Sequence, residues 1–453
     1  MKLTFAAQHH YGIFGLGKSG VSTARALVEG GASVVAWDDK TEHVTAFQKE
    51  LPACRTALPE TWDWKEMKAL VLSPGVPLTH PKPHPIVTRA KSHHVPIFGD
   101  IELLYQARPQ ARYIAITGTN GKSTTTSLIG HILASVEREV EVGGNLGRPV
   151  LDFKPAKTYV IEASSYQLDL VRSTRFNIAL LLNFSPDHLD RHGTMAEYIA
   201  AKCHVFDRQL PEDTAIIGVD EPISEAICRE RIARGAQRVI PISGSRPVQR
   251  GVYVENGILH NSLGAQEITS SLKEIKSLQG DHNAQNAAAA YAAAFVHGLS
   301  HEVIMAAMQT FPGLAHRMQW LGARRGVQYV NDSKATNANA TEKALMTYDN
   351  IYWILGGIPK EGGITSLTKY FPKIRHAYII GEAISSFPQV FGEQVLHANY
   401  PSLTRAFDEA RVDAEREKNP GAVVLLSPAC ASFDQFKNFE ERGQAFVQLF
   451  KQI

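Results

Sequence analysis

The stretch YIAITGTNGKSTTT, residues 113–126, decides how the chain is read. Four strand-forming residues run into a glycine, and Gly121, Lys122 and Ser123 open the segment that follows. A strand that turns through glycine into a helix aims backbone N–H groups and the positive end of the helix at an anion. The common phosphate-loop pattern, G-x-x-x-x-G-K-[ST], has its first glycine five places before the second. Here that place holds Ile116, and the nearest upstream glycine is Gly118. The altered spacing argues against an ordinary GTPase or motor ATPase. It keeps the phosphate chemistry, with Lys122 reaching the outer phosphates and Ser123 placed to ligate magnesium.

The rest of the chain sets the limits. Its 453 residues are enough for about three domains. It is 44% hydrophobic and 20% charged, the balance of a soluble globular protein. A net charge of +2 without a long basic run predicts no nucleic-acid partner. Cys54, Cys203, Cys228 and Cys430 lack C-x-x-C spacing, which predicts a reducing compartment and no zinc site. The N-terminus has no signal-peptide pattern, and the apolar runs FNIALLLNF and AAAAYAAAFV are too short to span a bilayer. A cytoplasmic protein is expected.

Three α/β blocks follow one another. In the first, YGIF leads into GLGKSG (15–20), a helical run, and GASVVAWDD, whose strand ends at Asp38. That is a dinucleotide-type βαβ unit, and the block runs through ALVLSPGVP to residue 99, with the proline-rich LTHPKPHPI as a surface loop. The second, 100–313, carries the phosphate loop, the strands TYVIE, IALLLNF and TAIIGV, and an alanine-rich helix after GDHNAQN. The third, 314–453, has strands in VQYVNDSK, IYWILGG, AYIIGE and AVVLLSPAC, each followed by polar residues. The fold class is therefore α/β, with an N-terminal Rossmann-like domain, a central P-loop ATPase-like domain with a mostly parallel sheet, and a C-terminal Rossmann-like domain. In such sheets ligands sit beyond the carboxyl ends of the strands.

Several residues at those ends carry chemistry. Glu162 closes TYVIE and can hold a nucleotide-bound Mg²⁺ or cap a helix. Asp187 and His188 follow IALLLNF in the same way. Lys202 sits in AEYIAAKCHVFDR, with Tyr198 and Ile199 one turn before it and Val205 and Phe206 one turn after, all on one helical face. A lysine on an apolar face either snorkels to solvent or is desolvated. A desolvated amine is a nucleophile that can pair with an acid or take up CO₂ as a carbamate. Asn283 and Asn286 in GDHNAQN can read an adenine edge or cap the helix. In the third block NDSKATN, LGGIPK and SPACASFDQF offer Lys334, Lys360 and Ser432 to an anionic substrate. GLGKSG with Asp38 alone also fits a nicotinamide-dependent dehydrogenase, and the phosphate loop alone also fits a nucleotide switch.

Taken in order, GTNGKST, the Glu-Ala-Ser-Ser-Tyr-Gln segment from Glu162, Asp-His at 187–188, the AAK of Lys202, GDHNAQN, AHR at 315–317, NDSKATN and SPACASFDQFKNFEERG resemble the Mur ligases. The resemblance covers essentially the whole chain. The phosphate loop alone reaches only the wider superfamily shared with folylpolyglutamate ligases. NDSKATN and SPACASFDQF point to the branch that adds D-glutamate, and the D-N-P-R signature of diaminopimelate- or lysine-adding relatives is absent.

The resemblance implies ATP-dependent joining of D-glutamate to UDP-N-acetylmuramoyl-L-alanine through an acyl phosphate, in peptidoglycan precursor synthesis, by a monomer. It implies ATP at Gly118, Thr119, Asn120, Gly121, Lys122, Ser123, Thr124, Asn283, Asn286, Arg317 and Asp332. It implies the UDP-sugar at Gly15, Leu16, Gly17, Lys18, Ser19, Gly20, Asp38, Ser73, Pro74, Gly75 and Asn145, so that the first block is not an NAD site. D-Glutamate falls to Lys334, Thr336, Lys360, Ser432 and Phe439. Two Mg²⁺ fall to Ser123, Glu162, His188 and Lys202, the last as a CO₂-derived carbamate. Lys122, Glu162, His188, Lys202 and Lys334 would carry the catalysis. Two places depart from the family pattern. IPKEGG stands after LGG, where relatives often have an acid or another glycine pattern, and Asp39 and Lys40 stand where some carry a hydroxyl and an arginine near the uracil.

Overall fold

A computed structural model describes residues 1–278 and 280–453. They form two compact units, Met1–Glu274 with Asp281–Thr310, and Ile275–Gly280 with Phe311–Ile453.

The first unit holds two sheets. Apolar runs and one short polar segment make the parallel strands β1 (His10–Phe14), β2 (Ser33–Trp37), β3 (Arg55–Thr56), β4 (Met67–Leu72) and β5 (Ile97–Phe98), in the order β3-β2-β1-β4-β5. Parallel strands need both faces covered, and Ile13, Ala36 and Leu70 are fully buried. The order reverses between β1 and β4, so the ligand crevice opens where Gly15–Gly20 and Ser73–Gly75 leave those strands. The proline-rich stretch begins as the expected loop but becomes helical at Pro85–Ser92. Proline suits a first helical position, and the His84 ring accepts from the Ile86 amide at 3.2 Å.

The second sheet has nine strands: β6 (Arg112–Thr117), β7 (Val140–Gly144), β8 (Thr158–Glu162), β9 (Ile178–Leu181), β10 (Thr214–Gly218), β11 (Arg238–Ser243), β12 (Val252–Glu255), β13 (Ile258–Asn261) and β14 (Ile268–Ser271). Their order is β14-β13-β12-β11-β10-β9-β6-β8-β7. Pairing is parallel from β12 to β7, and β12, β13 and β14 form an antiparallel meander at one edge. The sequence reading passed over that meander, although VYVENGILHN has the alternation and the Asn-Gly turn of a hairpin. The helix Asp281–His297 packs on β11, β12 and the helix Lys122–Ala134. Ala287–Ala290 and Ala292–Ala294 are fully buried, and side chains this small let the helix axis come close to the sheet.

The second unit is built on β15 (Gln319–Arg324), β16 (Val327–Asn331), β17 (Ile351–Gly356), β18 (Ile358–Pro359), β19 (Ile374–Ile380), β20 (His397–Asn399), β21 (Val423–Leu426) and β22 (Cys430–Ala431). Six of these make a sheet in the order β15-β16-β21-β17-β19-β20, parallel except at the β15 edge. β18 and β22 pair separately. Because β16, β21 and β17 are neighbours, the loops NDSK, SPAC and LGG leave the sheet side by side. Among the described residues no helix is long and apolar enough to cross a membrane.

Gly20 tests the first sheet. A Cβ there would lie 1.9 Å from the Gly15 carbonyl oxygen. Gly20→Ala should cost about 2–3 kcal/mol in denaturant unfolding, because the obstacle is backbone and cannot swing away. Unchanged stability would mean that the helix Lys18–Glu29 does not lie against the glycine turn.

Candidate functional site

The phosphate loop turns directly from β6 into the helix Lys122–Ala134, with Gly121 in the left-handed region at φ 83°. The loop is held from both sides. Asn183, at the end of β9, accepts from the Thr119 amide at 2.9 Å through its carbonyl and from the Asn120 amide at 2.8 Å through its side chain. Thr119 Oγ1 lies 3.0 Å from the Tyr198 hydroxyl and accepts from the Ser185 amide at 3.0 Å.

Two lysines converge on the loop's carbonyls. Lys122 Nζ donates to Gly118 O at 2.9 Å and to Thr119 O at 2.8 Å. Lys202 Nζ also donates to Gly118 O, at 2.9 Å, and lies 4.6 Å from the Tyr198 ring centroid. Lys202 is only 2% exposed, so the snorkelling alternative fails. Burial first, and then the Lys122 charge, push its pKa down to about 7, against the opposing pull of Asp187 and Glu162.

Glu162 is buried at the end of β8. Its Oε1 accepts from Asn145 Nδ2 at 2.6 Å, while its Oε2 is buried with no hydrogen-bond partner. A desolvated carboxylate oxygen with no donor is costly, and a cation satisfies it. The oxygen chemistry of Glu162 and Ser123 therefore fits a hard divalent ion. His188 stands at φ 55°, near Asp187 at 3.4 Å and with its ring 5.0 Å from that of Tyr166. Among the described residues no three His, Cys, Asp or Glu side chains gather as a ready-made metal cluster. Any second ion would thus need ligands beyond those groups, such as a modified Lys202 or the substrates.

Asn283 and Asn286 brace the loop. Asn286 Oδ1 accepts from Thr125 at 3.1 Å, and its Nδ2 donates to Asn283 Oδ1 at 3.1 Å. A Cβ on Gly121 would come within 2.2 Å of Asn286 Oδ1, so these amides lie directly against the turn.

In the first sheet Asp38 closes β2 and accepts from the amides of Leu16 at 2.6 Å and Lys40 at 2.9 Å. Burial works to raise its pKa, but these amides and His43 prevail and hold it below the ordinary value. Ser73 donates to Gly15 O at 2.6 Å, which joins the turn to the Ser73–Gly75 loop. Arg191, which the sequence reading missed, donates to Pro74 O at 3.3 Å, Gly75 O at 2.7 Å and Val76 O at 3.0 Å. Its guanidinium lies over the Tyr166 ring at 4.6 Å and so ties the first sheet's crevice to the loops after Glu162 and His188. A cleft of about 350 Å³ beside the turn is lined by Leu16, Gly17, Lys18, Phe47 and Asp152. A larger one, about 500 Å³, lies at the opposite ends of the central strands, by Arg112, Arg175 and Asp213. Volume alone would favour the larger cleft, but the phosphate loop and Glu162 are at the other end of the sheet.

The second unit gathers its own set. Asp332 follows β16, accepts from the Met318 amide at 3.0 Å and the Ser427 hydroxyl at 2.7 Å, and is raised to about 7 by burial. Arg317 acts on it electrostatically. Lys334 Nζ lies 5.7 Å from the Phe439 ring centroid, Thr336 is half-buried, and the Thr336 amide donates to Lys334 O at 2.9 Å. Ser432 is buried with its hydroxyl lacking a partner, whereas Lys360 is exposed. Arg442 was also missed. It is 1% exposed and donates to Ser333 Oγ at 3.0 Å, Ser333 O at 2.9 Å, Gly356 O at 3.3 Å and Cys430 O at 3.1 Å. One cation thereby holds all three loops together. Its neighbours Glu440 and Glu441 are charged too, so nothing local in the sequence sets it apart.

Residues 9–99, 116–294 and 316–430 match, in turn, the Mur ligase MurD-like N-terminal domain, the Mur ligase middle domain and the Mur ligase glutamate ligase domain. The chain is 50% identical over 443 residues to the UDP-N-acetylmuramoylalanine--D-glutamate ligase of Agrobacterium fabrum, covering 96% of this chain and 93% of that one. It is 49% identical over 448 residues to the enzyme of the same name from Phenylobacterium zucineum, covering 96% and 94%. Its fold is similar to that of the UDP-N-acetylmuramate-alanine ligase MurC of Thermotoga maritima, with a TM-score of 0.57, 16% identity and coverage of 98% and 99%. It is also similar to the MurF ligase of Thermotoga maritima in complex with ADP, with a TM-score of 0.55, 15% identity and coverage of 99% and 97%.

Lys202 makes stability depend on pH. Folding lowers its pKa from 10.5 to about 7. Below that value both folded and unfolded chains hold the proton, and the folded state bears the full cost of the buried charge. Above it, up to the unfolded pKa, the folded chain has shed a proton that the unfolded chain keeps, so stability rises with pH. In CO₂-free buffer Lys202→Met should therefore stabilise the protein more near pH 6 than near pH 9, measured by urea unfolding. An equal gain at both would contradict the buried-ammonium assignment.

Proposed function

The chain belongs to the Mur ligase family, and on that premise we propose that it joins D-glutamate to UDP-N-acetylmuramoyl-L-alanine at the expense of ATP, as a cytoplasmic monomer. The whole-length identity to ligases of that name supports the substrates. The meeting of Lys122 and Lys202 on one carbonyl, beside a Glu162 oxygen without a donor, is the observation that carries the chemistry.

The proposed organisation assigns residues 1–99 to the UDP-sugar, 100–313 to ATP and 314–453 to D-glutamate. The crevice of the first sheet offers the amides of Gly15–Gly20 and the rigid Asp38 to the uridine diphosphate. Asn145, bonded to Glu162, directs the alanine end toward the phosphate loop. Lys122 exchanges its two carbonyl partners for the outer phosphates of ATP, with the loop amides and Thr124 around them. Asn283, Asn286, Arg317 and Asp332 hold the rest of the nucleotide. Ser123, Glu162, His188 and Lys202 as a carbamate would hold two Mg²⁺, which neutralise charge between the anionic reactants.

The reaction balances simply. A carboxylate oxygen of the alanine end attacks the γ-phosphorus, the bond to ADP breaks, and an acyl phosphate forms. The amine of D-glutamate attacks the acyl carbon, phosphate leaves and the nitrogen loses a proton. Lys334, Thr336, Lys360, Ser432 and Phe439 orient D-glutamate, and the partnerless Ser432 hydroxyl suits a substrate carboxylate. Alignment and charge neutralisation do most of the catalytic work.

ADP release with Mg-ATP and UDP-N-acetylmuramoyl-L-alanine tests this directly, with D-glutamate, L-glutamate or meso-diaminopimelate in parallel. Release with D-glutamate alone is expected. Release with another amine would overturn the substrate, and release with none would overturn the ligase reading. Lys202→Ala should lower kcat by about 10²–10³-fold, the size of a lost electrostatic element. Full activity in that variant would remove Lys202 from the mechanism.

A further inference from the structure

Asp100 lies outside every role given above. It is the first residue of the helix Asp100–Ala107, immediately after the first sheet, and is 4% exposed. Its Oδ2 accepts the hydroxyl proton of Ser19. Its Oδ1 accepts from the Ile101 amide at 2.9 Å, the Gln167 side chain favours its charged form, and the neighbouring Gly99 amide donates to Leu170 O at 3.0 Å. Burial raises its pKa, against the opposing effect of these donors.

Two neighbours of this residue come from different places. Ser19 belongs to the first turn of Lys18–Glu29, directly after the glycine turn of the first sheet. Gln167 belongs to the short helix Ser165–Leu168 that follows Glu162, and Leu170, just past that helix, accepts from the amide of Gly99 beside Asp100. Asp100 and the Gly99 amide beside it thus link the turn read as gripping the diphosphate to the segment read as holding the reacting end. An acid that merely caps its own helix needs no burial, because an exposed one serves equally well. Burying it is costly unless several donors meet it, and here they do. The link also fixes what Ser19 can offer. A serine hydroxyl has one proton, and that of Ser19 is committed to Asp100. Ser19 is left with its backbone N–H to present to an anion.

We propose that Asp100 is a positioning residue for the UDP-sugar, setting the spacing between the Gly15–Gly20 turn and the Asn145–Glu162 end of the same substrate. This rests on the reading of the first sheet as the UDP-sugar site. A ligand that spans both ends feels the spacing, and one that occupies only the turn does not.

Calorimetry on the full chain separates the two. Asp100→Asn keeps the shape but places an amide against one of the donors. Its affinity for UDP-N-acetylmuramoyl-L-alanine should fall about tenfold, the scale of one buried charge-assisted hydrogen bond, with affinity for UDP alone changing by less than about twofold. Ser19→Ala cuts the same link from the other side, and the double variant should bind no more weakly than the weaker single one. If Asp100→Asn does not fold, judged by thermal unfolding, Ser19→Ala and Gln167→Leu carry the same comparison. Equal loss for UDP and for the full substrate, or multiplying losses in the double variant, would overturn the positioning role and leave the site assignment standing. A wild-type chain that binds neither ligand would overturn both.

Discussion

Two ammonium groups cannot both rest comfortably on one carbonyl oxygen inside a protein. Lys122 and Lys202 each donate to Gly118 O at 2.9 Å, and Lys202 is almost wholly shielded from water. At low dielectric their repulsion is large, and desolvation adds to it. Asp187 and Glu162 oppose the shift without cancelling it, and an anion at the loop or loss of the Lys202 proton relieves the crowding. Lys122 stands at the mouth of a helix N-terminus, where phosphate can relieve it. Lys202 has no such exit, and a neutral amine at a pKa near 7 is the form that captures CO₂ with release of a proton. The crowding suits the phosphate ligand and the Lys202 carbamate proposed above.

The rest of the fold serves that constraint. A parallel central sheet brings β6, β8 and β9 side by side, so the phosphate loop, Glu162 and the Asn183–His188 loop leave the same edge together. Buried alanines let the helix Asp281–His297 come close enough for Asn286 to touch Gly121. Tyr198 places its ring beside Lys202 and its hydroxyl on Thr119, so the apolar face of one helix and the polar loop are fixed by the same side chain. In the second unit Arg442 does for three loops what Asn183 does for one.

Much of this was legible in the sequence because it is carried by local signals. Glycine turns after apolar strands located GLGKSG and GTNGKST, and helical spacing put Lys202 on an apolar face. What escaped was set by distance along the chain. The Ser19 hydroxyl reaches Asp100 across 81 residues, and Arg442 reaches Ser333 across 109. No periodicity encodes such partners, and a charged residue in a polar run reads as solvated until its neighbours are known. The β12–β14 meander was different. Its alternation and Asn-Gly turn are local signals, but they sit beside a long parallel pattern that dominates the block. The roles expected for Asn145, Asn283 and Asn286 gain a structural companion, since each already braces a neighbour that the ligand would meet.

The most direct measurement is carbon-13 NMR of the protein equilibrated with ¹³C-bicarbonate at mildly alkaline pH, beside Lys202→Ala and Lys122→Ala. A carbamate carbon signal in the wild type, absent in Lys202→Ala and weaker in Lys122→Ala, is the expected result. No carbamate signal, or one that survives loss of Lys202, would contradict the idea that the crowded carbonyl of Gly118 drives Lys202 to become an anion.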